Sequence, residues 1–337
     1  MNTEQKIKVF HALGKYILAE NQELEKAIHT ASLHNKWFTP ANVKHALKAI
    51  AENYLDEKLL HRWLSNYHLP GNKNPKRIAI IMAGNIPLAG FHDLLCALIT
   101  GNIAIIKQSS KDRHLLPHLL DKLCEAEPQL KNTFGFAEQP LKNFDAVIAT
   151  GSNNSSPYFE YYFGKYPHII RRNRNSVAVL TGKETKDELL KLGDDIFLYF
   201  GLGCRSVSKL LVPLDFDFDK FFKSLEPFQS LIAHNGYKNN YDYNLTLLIM
   251  NKMPYYASDF LLLQENTSPS SPIATLNFEY YGNLNEMNGM LETCKDETQC
   301  VVAGNLKDSV AFGESQSPQL GDYADGVDTI RFLLENS

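Results

Sequence analysis

Cys204 stands in the run Tyr199-Phe200-Gly201-Leu202-Gly203-Cys204-Arg205-Ser206, where a thiol follows two closely spaced glycines. Glycine lifts steric limits on the backbone, so such a bend can bring peptide N–H groups and a sulfur into a cleft. A thiolate presented this way attacks carbonyl carbon. Taken alone, the residue reads more readily as a small core hydrophobe, because free cysteine is among the most buried residue types. The balance depends on what else the chain supplies.

Three short apolar runs end in polar residues of the kind that hold ligands. Arg77-Ile78-Ala79-Ile80-Ile81-Met82 leads into Ala83-Gly84-Asn85-Ile86-Pro87. Asn85 can donate its side-chain amide to a substrate oxygen, or it caps the following helix, a common duty for Asn at such a turn. Asn102-Ile103-Ala104-Ile105-Ile106-Lys107 runs into Gln108-Ser109-Ser110-Lys111. Lys107 beside two serines suits phosphate or ribose hydroxyls; otherwise it snorkels at a sheet edge. Asp145-Ala146-Val147-Ile148-Ala149-Thr150 leads into Gly151-Ser152-Asn153-Asn154-Ser155-Ser156. There glycine permits close approach and hydroxyls offer hydrogen bonds, unless the segment is simply a capped turn.

Other candidates are weaker. No GxGxxG fingerprint occurs, which disfavours a conventional Rossmann dinucleotide site. His114 and His118 share a helical face, yet no third ligand is evident and Pro117 lies between them, so no metal is expected. His168 reads as a turn residue, Tyr158–Phe163 as helix packing and Cys96 as the core of an apolar helix.

The elements that must carry these residues follow from periodicity. Residues 1 to about 68 read as helical, with Ile7, Phe10, Leu13, Tyr16, Ile17 and then Ala46, Ile50, Tyr54 at three- and four-residue spacing. Thr39-Pro40 reads as an N-cap with proline in the first turn. Turn formers crowd Leu69–Pro75 and mark a boundary. Beyond it, unalternating β-branched strands alternate with helices at 88–100 and 112–127, and Ser176–Thr181 reads as another strand. This pattern predicts a doubly wound parallel sheet whose ligands bind beyond the strands' carboxyl ends. A helix at 188–200, the cysteine loop and a strand at 209–213 follow. A helix at 217–225 and strands near 243–250, 273–279 and 299–303 complete a second α/β domain. The expected division is a helical segment 1–74 packed with the cofactor domain, a dinucleotide-binding domain 75–182 and a catalytic domain 183–337. The C-terminal tail is a candidate to return to the cofactor domain.

Composition narrows the class. The chain has 337 residues, 44% hydrophobic and 21% charged, enough for two cores. A net charge of −4 gives no reason to expect nucleic acid. Neither a signal-peptide h-region nor a bilayer-spanning run is present. Five cysteines at irregular spacing (96, 124, 204, 294, 300) indicate neither a disulfide framework nor a zinc site, so reduced thiols in a cytoplasmic protein are expected.

Together the motifs resemble the aldehyde dehydrogenase superfamily, and within it the LuxC-type acyl-CoA reductases. Gly84-Asn85-Ile86-Pro87 resembles the family's Asn motif, and Gly101–Ser109 its Gly-Asn…Lys-Pro-Ser segment. Thr150-Gly151-Ser152 is similar to its cofactor-side turn, and Gly201-Leu202-Gly203-Cys204 to its nucleophile loop. Glu265 is similar, less closely, to the later ribose-contacting glutamate, and Asp322–Thr329 resembles the LuxC branch. The resemblance covers about residues 75 to 335. It implies an aldehyde-dehydrogenase-like α/β fold with Cys204 as nucleophile and Asn85, with the Cys204 N–H, as oxyanion donors. It implies Lys107, Ser109, Ser110, Lys111, Thr150, Gly151, Ser152 and Glu265 as cofactor contacts.

Two departures refine the expected chemistry. Aldehyde-oxidising members carry a Glu-Leu-Gly-Gly base upstream of the cysteine; here the region reads Ile170-Arg171-Arg172-Asn173-Arg174-Asn175-Ser176, with no carboxylate. A thioester would lack an obvious base for hydrolysis, which favours exchange with coenzyme A. The arginines either pair with coenzyme A phosphates or form a solvated turn. Where NAD-preferring relatives place a glutamate, this chain has Ser110 and then Lys111, a pattern that favours a 2′-phosphate. The expectation is NADPH-dependent reduction of a fatty acyl-CoA to the aldehyde, with NADH as the alternative cofactor. NAD(P)-dependent aldehyde oxidation and a silent nucleotide- or acyl-binding scaffold are the rival readings. Acyl-chain length is open, and so is a homo-oligomer.

Overall fold

The computed structural model describes residues 1–69, 74–137, 141–151 and 154–336. Two compact units emerge: Met1–Asn173 with Ser317 onward, and Arg174–Gln316. The break falls at 173/174 rather than at 182/183. The N-terminal helices pack with the first sheet and share one hydrophobic core with it.

The first unit opens with α1 (Thr3–Leu18), α2 (Gln22–His34), α3 (Pro40–Tyr54) and α4 (Glu57–Leu64). Asn2 and Gln5 form a reciprocal capping box at α1, and Thr39 caps α3 with Pro40 in its first turn. The apolar stripe of Ile7, Phe10, Leu13 and Ile17 is buried, as are Ala46 and Ile50. Next come β1 (Arg77–Ile81), α5 (Phe91–Ile99), β2 (Ile103–Lys107), α6 (Leu115–Ala126), β3 (Phe134–Phe136), β4 (Ala146–Thr150), α7 (Ser156–Phe163) and β5 (His168–Arg171). The sheet order is β3-β2-β1-β4-β5 with every pair parallel. The chain reverses its winding between β1 and β4, so loops diverge there at the carboxyl edge. Helix α5 begins at Phe91, three residues later than expected, because Leu88 adopts a left-handed φ of 57°.

The second unit contains β6 (Asn175–Val179), α8 (Lys186–Phe197), β7 (Val207–Pro213), α9 (Phe218–Leu225), α10 (Asn235–Met250), β8 (Tyr256–Ala257), β9 (Leu262–Glu265), β10 (Thr275–Tyr281), α11 (Leu284–Thr293) and β11 (Thr298–Val302). Its order is β11-β6-β7-β10-β9-β8, parallel apart from the short β8 edge. Residues 243–250 form the end of α10, not a strand. Their apolar, β-branched content suggests a strand, but Tyr237, Tyr241, Asn244 and Leu248 are buried at helical spacing. After Gln316 the chain rejoins the first unit and ends in α12 (Thr329–Glu335). Among the described residues no helix is long and apolar enough to cross a membrane.

Candidate active site

Cys204 lies in the connection between α8 and β7, at the amino edge of the second sheet. Helix α8 stops at Phe197, short of the expected Phe200, because the backbone turns left-handed at Tyr199 (φ 54°), Phe200 (φ 58°) and Gly201 (φ 74°). Only Gly201 of the two glycines uses that freedom. Left-handed backbone costs a side-chain-bearing residue roughly 1–2 kcal/mol, and it persists only where surrounding packing holds it. Both aromatic rings are buried, and the Phe200 ring centroid lies 4.4 Å from that of His234.

Directly after this strained segment, Gly203-Cys204-Arg205-Ser206 closes as a four-residue turn. The Ser206 N–H donates to the Gly203 carbonyl at 3.0 Å, and the Gly203 N–H donates to Ser206 Oγ at 3.2 Å. Ser176 on β6 fastens the turn from the side. Its Oγ donates to the Cys204 carbonyl at 3.3 Å, and its N–H donates to the Ser206 carbonyl at 3.1 Å. Ser176 Oγ also lies 3.1 Å from Cys300 Sγ, at an irregularity in the β6–β11 pairing. Cys204 is half-buried, unlike the buried Cys96, whose thiol burial pushes well above its ordinary pKa. At Cys204 both the bend and the backbone clamps are present.

Glu265 is exposed at the end of β9, and the segment after it folds back along β7. Lys209 Nζ donates to the Thr267 carbonyl at 2.6 Å while pairing with Glu279. Ser208 Oγ donates to the Pro269 carbonyl at 2.6 Å, and Asn277 Nδ2 donates at 2.9 Å to both the Ser268 and Ser270 carbonyls. Sequence reasoning missed these supports. A signal existed for Lys209, a charge opening an otherwise apolar strand.

In the first unit, the described sequence-predicted cofactor residues gather at the carboxyl edge of the parallel sheet. Asn85 follows β1, half-buried, and makes no cap for α5, whose N-cap position is Gly90. Lys107 ends β2 in register with Ile81, Ser109 is half-buried, and Ser110 and Lys111 are exposed. Thr150 ends β4 and Gly151 follows it, and the Gly151 N–H donates to the Arg171 carbonyl at 3.2 Å. Ser152 lies outside the described residues. A Cβ at Gly84 would collide with Ser109 Oγ, so glycine there lets the first two loops meet. Asp112 ties them together by accepting the Leu88 N–H at 2.7 Å. Burial raises the Asp112 pKa to about 6. The loop at 107–111 carries two lysines and two serines and no carboxylate.

Arg171 does not belong to a solvated basic turn. Its guanidinium is buried, pairs with Asp93 (Nη2 to Oδ1 2.8 Å) and donates to Thr329 Oγ1 at 3.1 Å. It therefore has no free face for a coenzyme A phosphate. Arg172 is exposed, and Arg174 Nη1 donates to the Thr298 carbonyl at 3.3 Å. His118 Nε2 meets the Tyr16 hydroxyl at 2.7 Å, and His114 packs edge-on to His34, so both serve helix packing.

The model of the acyl-CoA reductase (LuxC) family matches residues 11–220, more than half of the chain. Long-chain acyl-protein thioester reductase 2 of Photobacterium leiognathi is 22% identical over 219 residues, which cover 59% of this chain and 45% of that protein. The matched region thus spans less than half the length of that curated relative. Among solved structures, aldehyde dehydrogenase 21 of Physcomitrella patens, in complex with succinate, aligns over 100% of this chain and 84% of its own. Its TM-score is 0.69 at 11% identity. A putative aldehyde dehydrogenase of Burkholderia cenocepacia aligns over 90% and 74%, with TM-score 0.67 at 13% identity. The fold is that of the aldehyde dehydrogenases.

Proposed function

The chain belongs to the acyl-CoA reductase (LuxC) family, and on that premise we propose that it reduces a fatty acyl-CoA thioester to the aldehyde, with NADPH as reductant. The observation that carries this reading is the Cys204 turn, a half-buried thiol set behind a strained left-handed segment and clamped through its own carbonyl. Cys204 Sγ attacks the thioester carbonyl carbon; the tetrahedral oxyanion collapses and expels coenzyme A as its thiolate, leaving the acyl group on sulfur. Asn85 and the Cys204 N–H keep the role that the resemblance gives them, donors to that oxyanion. When bound, NADPH supplies the hydride that converts a thioester to the aldehyde level. Lys107, Ser109, Ser110, Lys111, Thr150 and Gly151 would hold its phosphates and ribose, and Glu265 would take the ribose contact that the resemblance implies. Collapse of the resulting hemithioacetal returns the Cys204 thiolate and releases aldehyde.

Position 171 supports reduction over hydrolysis. In the stretch where oxidising relatives carry a base, the side chain of Arg171 is committed to Asp93 and Thr329. Supplying acyl-CoA with NADPH should give aldehyde and free coenzyme A, with kcat/KM higher for NADPH than for NADH. Lys111→Glu should narrow that preference by about tenfold. Free acid as the main product would overturn the reductase reading, and a strong NADH preference would overturn the cofactor assignment. The relative's name supports a second thioester, so an acyl group on a carrier protein belongs in the same assay; turnover there alone would replace coenzyme A as the donor.

A further inference from the structure

The turn that presents Cys204 has a second layer behind it, formed by a segment more than a hundred residues away in sequence. Gln316 Nε2 donates to Ser206 Oγ at 3.1 Å, and that oxygen already accepts the Gly203 N–H. Ser206 is 1% exposed and Gln316 8%, so water does not substitute for either bond. Gln316 is itself placed by a buried carboxylate on α8. Asp195 accepts the Gly313 N–H at 2.6 Å and the Ser315 N–H at 2.9 Å, one on each oxygen. Gly313 has a φ of 86°, a left-handed bend that a side chain would strain, and a Cβ there would crowd Lys191. Gln316 Nε2 also lies 3.4 Å from the Asp195 carbonyl. The helix entering the cysteine loop thus holds the 313–316 segment, and that segment reaches back to the turn.

We infer that Ser206 and Gln316 are positioning residues for Cys204: Gln316 fixes the Ser206 hydroxyl, and the hydroxyl closes the turn through the Gly203 N–H. Ser206 lies two residues beyond the thiol with its oxygen turned away from solvent, so it is not a proton carrier for the reaction. Its effect is geometric. Without that hydroxyl the turn keeps three bonds: Ser206 N–H to the Gly203 carbonyl, Ser176 N–H to the Ser206 carbonyl and Ser176 Oγ to the Cys204 carbonyl. The Ser206 hydroxyl adds a fourth hydrogen bond, which fixes the Leu202–Gly203 peptide that leads into Cys204. Misplacing a reacting group by about 1 Å costs on the order of a hundredfold in rate.

This inference rests on Cys204 being the acylated nucleophile, and its test separates the two claims. Ser206→Ala, Ser206→Thr, Ser206→Val and Gln316→Met are compared in the full chain. The first readout is single-turnover acylation by acyl-CoA without NADPH. The second is the rate of Cys204 alkylation by iodoacetamide, read by peptide mass. Ser206→Ala and Gln316→Met should slow acylation by about 10- to 100-fold, with KM for acyl-CoA within about twofold. Both variants should change Cys204 alkylation by about threefold or more. Thr should restore most of the rate, and Val, which has the same shape without the hydroxyl, should not. Wild-type rates in Ser206→Ala, or equal rescue by Val and Thr, would overturn the positioning role. If the wild-type protein gains no acyl group on Cys204, the nucleophile reading fails instead, and the alkylation rates still decide whether the hydroxyl sets the thiol.

Discussion

The two units use buried polar residues in opposite ways. In the first, the buried charges Asp93 and Arg171 join α5, β5 and the residue opening α12, while the strand-end loops that carry Lys107, Ser110 and Lys111 turn outward. In the second, Ser176, Asp195, Ser206 and Gln316 converge on the turn that holds Cys204, and Ser208, Lys209 and Asn277 hold the segment after Glu265. Buried hydrogen-bonded networks rigidify what they surround. The contrast therefore divides the labour. One unit spends its buried polar groups on tying the chain together and leaves Ser110 and Lys111 exposed. The other prebuilds the turn that holds Cys204.

The largest effect should come from breaking the first unit's tie. Arg171→Met leaves the Asp93 carboxylate buried without its charge partner, a loss of about 3–5 kcal/mol. Urea unfolding should show the midpoint falling sharply; a change below about 1 kcal/mol would show that the pair is not structural.

The two raised carboxyls sharpen the comparison further. Burial raises both Asp112 and Asp195 from 3.8 to about 6. Between about pH 4 and 6 the native state keeps protons that the unfolded chain has released, so each residue's contribution falls as pH rises across that window, by roughly 3 kcal/mol. Their surroundings differ. Both Asp195 oxygens accept backbone N–H groups, whereas Asp112 Oδ1 has no hydrogen-bond partner among the described residues. Asp195→Asn turns an amide toward an N–H donor and should cost about 1–3 kcal/mol at pH 7.5. Asp112→Asn keeps the acceptor for Leu88, removes a buried charge, and should be neutral or stabilising by up to about 2 kcal/mol. Melting temperatures of both variants from pH 4.5 to 7.5 test this, and equal losses in the two would erase the distinction.

Much of this was readable in the chain because the signals were local. The runs ending at Met82, Lys107 and Thr150 are too uniformly apolar to be anything but buried strands, and the motif residues follow them directly. Thr39-Pro40 announced α3 for the same reason. What escaped had a tertiary cause. Tyr199 and Phe200 carry no mark of left-handed backbone, because the packing that imposes it comes from elsewhere. Tyr243–Met250 looks like a strand until Tyr237 and Tyr241 show which face the helix buries. Arg171 reads as a phosphate contact or a solvated turn residue among its basic neighbours because Asp93 and Thr329 are 78 and 158 residues away. Gln316 and Ser206, 110 residues apart, offer no pattern at all.

The central claim is that Cys204 carries the acyl group, and the most direct measurement follows that group. Acyl-CoA labelled in its acyl chain is incubated with the protein in the absence of NADPH, and the digest is mapped. The account predicts a thioester-linked label on the peptide containing Cys204, absent from Cys204→Ala and released as labelled aldehyde when NADPH is added. Equal labelling of Cys204→Ala, or release of the label from Cys204 as free acid under NADPH, would contradict it.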